Sequence, residues 1–115
     1  MTEKKLILVV FTQPSRCGPC AALRDNRIVD DYAAKHPEVQ VVWHRFDSRD
    51  KFKKIAAEAE AKRLKVSAIP CLIWFKAPSQ GTPELHRHVA YIGPRQIETA
   101  HRAALAKASP PPPVP

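Results

Sequence analysis

The chain reads as one α/β domain with its elements in the order β-α-β-α-β-β-α, and three observations predict this. Short apolar runs alternate with stretches of helical length. Proline, glycine and polar turn residues separate them. The 115 residues are 44% apolar and 26% charged, a composition that can close one hydrophobic core without disulfide staples. No apolar run approaches the roughly 20 residues of a membrane-spanning helix, so no membrane role is expected. Met1-Thr2-Glu3-Lys4-Lys5 and the run after it imitate an export signal, but the run is shorter than the usual ~7 to 15 residues and no small-residue cleavage site follows. It is read as the first strand, and the chain as cytoplasmic.

Leu6-Ile7-Leu8-Val9-Val10-Phe11 has the length and continuity of a buried strand, and Thr12-Gln13-Pro14-Ser15 is a polar turn. Residues 21–35 read as one helix, with Leu23, Ile28 and Tyr32 among its apolar positions and His36-Pro37 as its end. Residues 39–46, rich in β-branched and aromatic side chains, form the second strand, which the crossover helix sets parallel to the first. Ser48 or Asp50 caps a second helix over residues 50–64, whose inner stripe is read as Phe52, Ile55, Ala56 and Ala59. Residues 65–70 connect to the compact strand Cys71-Leu72-Ile73-Trp74-Phe75. A turn over 77–84 leads to a strand over 85–92, and Gly93-Pro94 opens the last helix, where Ile97, His101, Ala104 and Leu105 recur at helical spacing. The folded domain is assigned to residues 1–108. Residues 109–115 form a proline-rich tail, read as a stiff disordered segment in preference to a docking peptide.

The formal charge of +8 favours acidic partners. Yet the basic residues are scattered, Lys51, Lys53, Lys54, Lys62, Arg63 and Lys65 near one helix and Arg24, Arg27, Arg87, Arg95 and Arg102 elsewhere, with no interleaved aromatics. They are read as solvated surface, and no nucleic-acid site is expected.

Three cysteines, two of them in Cys17-Gly18-Pro19-Cys20, make a poor disulfide framework. A Cys-x-x-Cys pair is either half of a zinc site or a dithiol that cycles with a disulfide. Zinc would need further ligands, and Cys71, His44, His86, His88 and His101 lack ligand spacing, so no metal is expected. Cys17 at the junction of a strand and a helix favours redox chemistry, because the helix N-terminus stabilises the attacking thiolate.

The sequence resembles the thioredoxin superfamily over about residues 5–107. Cys17-Gly18-Pro19-Cys20 matches the thioredoxin motif without substitution, Val66-Ser67-Ala68-Ile69-Pro70 is similar to the segment ending in the family's cis-proline, and Tyr91-Ile92-Gly93 is similar to its closing hairpin. The resemblance implies a four-stranded mixed sheet flanked by three helices, without the leading strand and helix of full thioredoxins and thus of glutaredoxin size. It also implies roles. Cys17 would attack a substrate disulfide and Cys20 resolve the mixed disulfide. Gly18 would admit the substrate, Pro19 restrain the loop, and Ile69 and a cis Pro70 bind an extended substrate segment.

Three positions depart from the family pattern. Arg16 stands where thioredoxins carry tryptophan, removing an aromatic surface and predicting a lowered Cys17 pKa. Phe11 stands where a buried aspartate would assist Cys20. Cys71 replaces the usual threonine after the proline and is read as a small core residue, with oxidation, glutathionylation or metal binding as its other roles.

The expected function is a cofactor-free, monomeric thiol-disulfide oxidoreductase that reduces disulfide-containing proteins in cell redox homeostasis and electron transport, recharged by thioredoxin reductase or glutathione. Two alternatives differ in class: a glutaredoxin-like reductant of glutathione mixed disulfides or ribonucleotide reductase, and a non-enzymatic adaptor that binds an acidic partner.

Overall fold

A computed structural model describes residues 3–79 and 83–108. The proline-rich tail and three residues of the 77–84 turn lie outside them. The elements are β1 (Leu6–Thr12), α1 (Gly18–Asp25), α2 (Ile28–Lys35), β2 (Val39–Arg45), α3 (Lys51–Arg63), β3 (Cys71–Lys76), β4 (Glu84–Val89) and α4 (Pro94–Ala108). The strands form one mixed sheet in the order β2-β1-β3-β4. β1 runs parallel to β2 and antiparallel to β3, and β3 and β4 are antiparallel.

Every residue of β1 is buried, as a strand with neighbours on both edges and helices on both faces requires. Its side chains alternate between two cores. Leu6, Leu8 and Val10 join Leu72 and Trp74 of β3 under Leu23, Val29, Tyr32, Ile97 and Ala104 from α1, α2 and α4. Ile7, Val9 and Phe11 join Cys71, Ile73 and Phe75 under Ala61 and Leu64 of α3. The four-stranded mixed sheet is as expected, but the described residues form four helices where three were expected.

The extra helix arises because the expected helix over 21–35 breaks at Asn26 and Arg27. Arg27 adopts a left-handed conformation (φ 53°) and begins a new helix, while the Asn26 side-chain amide donates to the Tyr91 hydroxyl at 3.1 Å. The inner stripe assigned to α3 is also corrected. Phe52 and Ile55 are 81% and 53% exposed, Ala56 and Ala59 face solvent, and Ala57 and Ala61 are the buried positions. Small residues on that face let the helix approach the sheet closely. The strand expected over 85–92 ends at Val89, since Ala90 has φ 97° and turns the chain before Ile92 re-enters the core.

Polar groups inside the core are joined in series. The Trp74 indole N–H donates to the Tyr32 hydroxyl at 3.0 Å, and that hydroxyl lies 2.6 Å from His101 Nδ1. Burial pushes the Tyr32 pKa up, keeping its hydroxyl protonated. On the opposite core, the Arg87 guanidinium on β4 donates to the carbonyls of Leu64 (2.6 Å) and Lys65 (3.3 Å), capping the C-terminal end of α3, and is held in turn by Glu84. This clamp fixes the start of the connector that delivers Ile69 and Pro70.

Candidate active site

The site lies at the end of β1, where the chain leaves the sheet at Thr12 and α1 begins. Cys17 is the N-cap of α1, extended at φ −133°, ψ 107°, with Gly18 and Pro19 in the first turn. Its Sγ accepts the Cys20 backbone N–H at 3.2 Å, so the sulfur occupies the place of a capping side-chain oxygen. Proline suits this turn because its missing N–H would have had no helical partner.

Cys17 and Cys20 are joined as a disulfide, with Cα atoms 5.1 Å apart. Their surroundings differ. Cys17 is partly exposed, between the exposed Arg16 and Gly18, whereas Cys20 is 1% exposed. A Cβ added at Gly18 would meet no atom within 4 Å, so the surface before the sulfurs is open.

The connector reaches the same place from the far end of the sequence. The Ile69–Pro70 bond is cis, and the Ile69 carbonyl oxygen lies 3.9 Å from Cys17 Sγ. Pro70 is buried, and its carbonyl accepts the Ala90 N–H at 2.8 Å. The structure therefore brings together Arg16, Cys17, Gly18, Pro19, Cys20, Ile69 and Pro70. A second cis bond, Ala77–Pro78, lies in the turn after β3. Cys71 is a free thiol on β3, fully buried and paired in register with Phe11, and desolvation raises its pKa. That is the core position expected of it. Phe11 is fully buried and stacks on His44 at 5.1 Å and on Phe46 at 6.2 Å.

Two contributors were not singled out from the sequence. Trp43, 42% exposed on β2, lines a cleft with Thr12, Pro14 and Leu23 whose rim carries Arg24, Arg27 and Arg45. The signal for it was present, since Trp43 alternates in register with the strand's inward residues, but its neighbours come from the helix break. The other is Asp47, which accepts the Ser15 N–H at 3.0 Å and the Arg45 Nε–H at 3.1 Å and so ties the loop before Cys17 to the end of β2.

Desolvation of Asp47 would raise its pKa, but the hydrogen bonds from Ser15 and Arg45 outweigh it and hold the carboxyl at about 2 against its usual 3.8. A group depressed on folding adds stability that is fully present above its unfolded pKa and is lost as pH falls through the folded one. Acid titration of the fold should therefore show a loss between about pH 4 and pH 2 that is smaller in Asp47→Asn. Urea midpoints measured across that range check this.

No family model matches the chain, and no curated protein sequence matches it. Solved structures do. Fasciola hepatica thioredoxin is 25% identical with a TM-score of 0.63, the match covering 88% of this chain and 83% of that one. Oxidised thioredoxin O2 from Arabidopsis thaliana is 20% identical with a TM-score of 0.63, over 86% and 74%. A DsbH oxidoreductase is 18% identical with a TM-score of 0.70, over 89% and 74%. The fold is thus thioredoxin-like, and a Cys-x-x-Cys disulfide at the start of its first helix is the redox centre of a thiol-disulfide oxidoreductase in general terms.

Proposed function

We propose that this thioredoxin-fold chain reduces disulfides in protein substrates, with Cys17 as nucleophile and Cys20 as resolving thiol. The observation that carries the reading is the inequality of the two sulfurs: one partly open at a helix N-terminus, the other buried behind it. In the reduced chain the Cys17 thiolate attacks one sulfur of the substrate disulfide. A mixed disulfide forms, and the other substrate sulfur leaves as a thiolate that takes a proton. Cys20 then loses its proton and attacks Cys17 Sγ, which releases the second substrate thiol and regenerates the Cys17–Cys20 disulfide. Two electrons pass from the protein to the substrate. The dithiol of a reductase, or two molecules of glutathione, must return them.

Several features support this mechanism. The backbone N–H of Cys20 and the helix end favour charge on Cys17 Sγ, and the guanidinium of Arg16 adds positive charge beside it. The Ile69 backbone, next to the sulfur, is placed to pair with an extended substrate segment, and Pro70 holds that segment's approach. Arg16 takes away an aromatic contact before the motif, and Trp43 beyond the loop supplies another, within a cleft whose rim carries arginines paired with aspartates. Cys20 is buried, and the resemblance puts Phe11 where the family carries a carboxylate, so its proton passes to water or to the departing substrate thiolate. The setting of this reading is the cytoplasm, and the chain acts as a monomer.

Reduction of insulin in the presence of dithiothreitol tests the proposal. The wild-type chain should accelerate precipitation of the insulin B chain, and Cys17→Ser should not. Equal rates for the two would sink it.

A further inference from the structure

At the other end of the sheet from the dithiol, two histidines and a glutamate converge from three elements. His36 is the C-cap of α2, Glu38 immediately precedes β2, and His101 lies in the middle of α4. Because β1 and β2 are parallel, with Leu6 opposite Val39 and Thr12 opposite Arg45, this cluster and the Cys17 loop sit at opposite ends of the same two strands.

One carboxylate oxygen faces two imidazole nitrogens. Glu38 Oε1 lies 3.4 Å from His36 Nδ1 and 3.5 Å from His101 Nε2, and the three ligand atoms all lie within 4.8 Å of one another. Those N···O separations exceed the usual hydrogen-bond range of about 2.7–3.2 Å. They match neighbouring ligands on one tetrahedral ion, which with bonds of about 2.0–2.2 Å stand roughly 3.3–3.5 Å apart, while the two rings, with centroids 4.0 Å apart, must splay to admit the ion between their nitrogens.

The hydrogen bonds around the cluster point the same way. His36 Nε2 lies 2.8 and 3.0 Å from the two oxygens of Glu98, which places the ring proton there and turns the Nδ1 lone pair toward Glu38. With the His36 ring neutral, two acceptors then face each other, an arrangement that a cation between them would satisfy. Glu98 is also the kind of carboxylate that orients a metal-bound histidine from behind. For His101, Nδ1 lies 2.6 Å from the Tyr32 hydroxyl, which also accepts from Trp74, so the ring is fixed with Nε2 toward Glu38. His101 is 4% exposed while His36 and Glu38 are 20% and 23% exposed, so the nitrogen is buried but the cluster opens to solvent on one side.

We propose that His36, Glu38 and His101 form a divalent transition-metal site, with zinc as the ion that its nitrogen and oxygen donors suit best and water as the fourth ligand. Zinc takes the lone pair of His101 Nε2 in the tautomer whose single ring proton sits on Nδ1, where the Tyr32 hydroxyl oxygen accepts it, so the ring stays neutral and loses no net proton. The chain then carries metal despite the expectation from sequence of none, and away from its cysteines.

The test uses the full chain with the disulfide closed, so that Cys17 and Cys20 offer no thiolates, and zinc ion as the probe. Calorimetry should show one zinc per chain, and thermal unfolding should move upward with zinc concentration. Glu38→Gln should weaken binding at least tenfold. Glu98→Gln, which leaves the three ligands in place, should weaken it by about 10- to 100-fold. Should either variant fold poorly, the imidazole nitrogen resonances of the wild-type chain decide. His36 and His101 should shift with zinc, and His44, His86 and His88 should not. No zinc uptake, unchanged affinity in Glu38→Gln, or shifts confined to the other histidines would each overturn the assignment.

Discussion

Cys20→Ser is expected to turn the chain from a catalyst into a trap. With Cys17 intact the first exchange still proceeds, but the serine oxygen cannot attack the mixed disulfide, so the substrate stays attached and turnover falls to the uncatalysed background. Mass spectrometry of a reaction with a disulfide-bonded peptide should find the adduct on Cys17 alone. Cys17→Ser should form none. The asymmetry follows from burial, since Cys20 is 1% exposed and reaches only the sulfur of Cys17. If the adduct appeared on Cys71, which is fully buried, the assignment of roles would fail.

Tyr32→Phe is expected to be the costliest removal of a single atom in the fold. The hydroxyl serves two nitrogens, Trp74 Nε1 at 3.0 Å and His101 Nδ1 at 2.6 Å, within a core where Trp74 and Tyr32 are 0% and 2% exposed. Its loss leaves both without a partner. An unsatisfied buried polar group costs about 1–3 kcal/mol, so the variant, which leaves two, should lose about 2–6 kcal/mol. Urea denaturation should show a lower midpoint with an unchanged slope. A loss below about 0.5 kcal/mol would mean that water reaches these nitrogens.

What could be read ahead of the structure was whatever is written locally. β1, β3 and the Cys-Gly-Pro-Cys turn are legible because a continuous apolar run and a strand-to-helix junction each fit within a dozen residues. The break between α1 and α2 is not, since Asn26-Arg27 contains neither glycine nor proline and the bond that fixes Asn26 comes from Tyr91. The face of α3 was misread for a related reason. Its large apolar residues face outward while Ala57 and Ala61 face inward, which helical spacing alone cannot decide when both stripes are apolar. The His36 cluster was invisible because His36 and Glu38 are neighbours in sequence but meet His101 only through the packing of α4. The contact of Ile69 with Cys17 is equally non-local, and it was anticipated only through resemblance to a known family.

The capping of α1 by Cys17 has one more consequence. Because the sulfur that takes part in electron transfer also terminates the helix, folding and redox chemistry share a thermodynamic cycle. The hydrogen bond from the Cys20 N–H is stronger to a thiolate than to a disulfide sulfur. Helix formation therefore stabilises the reduced, ionised chain more than the oxidised one, and by the cycle raises the potential above that of the unfolded dithiol. Each 1.4 kcal/mol of difference between the unfolding free energies of the two redox forms corresponds to about 30 mV. Two denaturation curves, one in each redox state, thus give the contribution of the fold to the potential without an electrode.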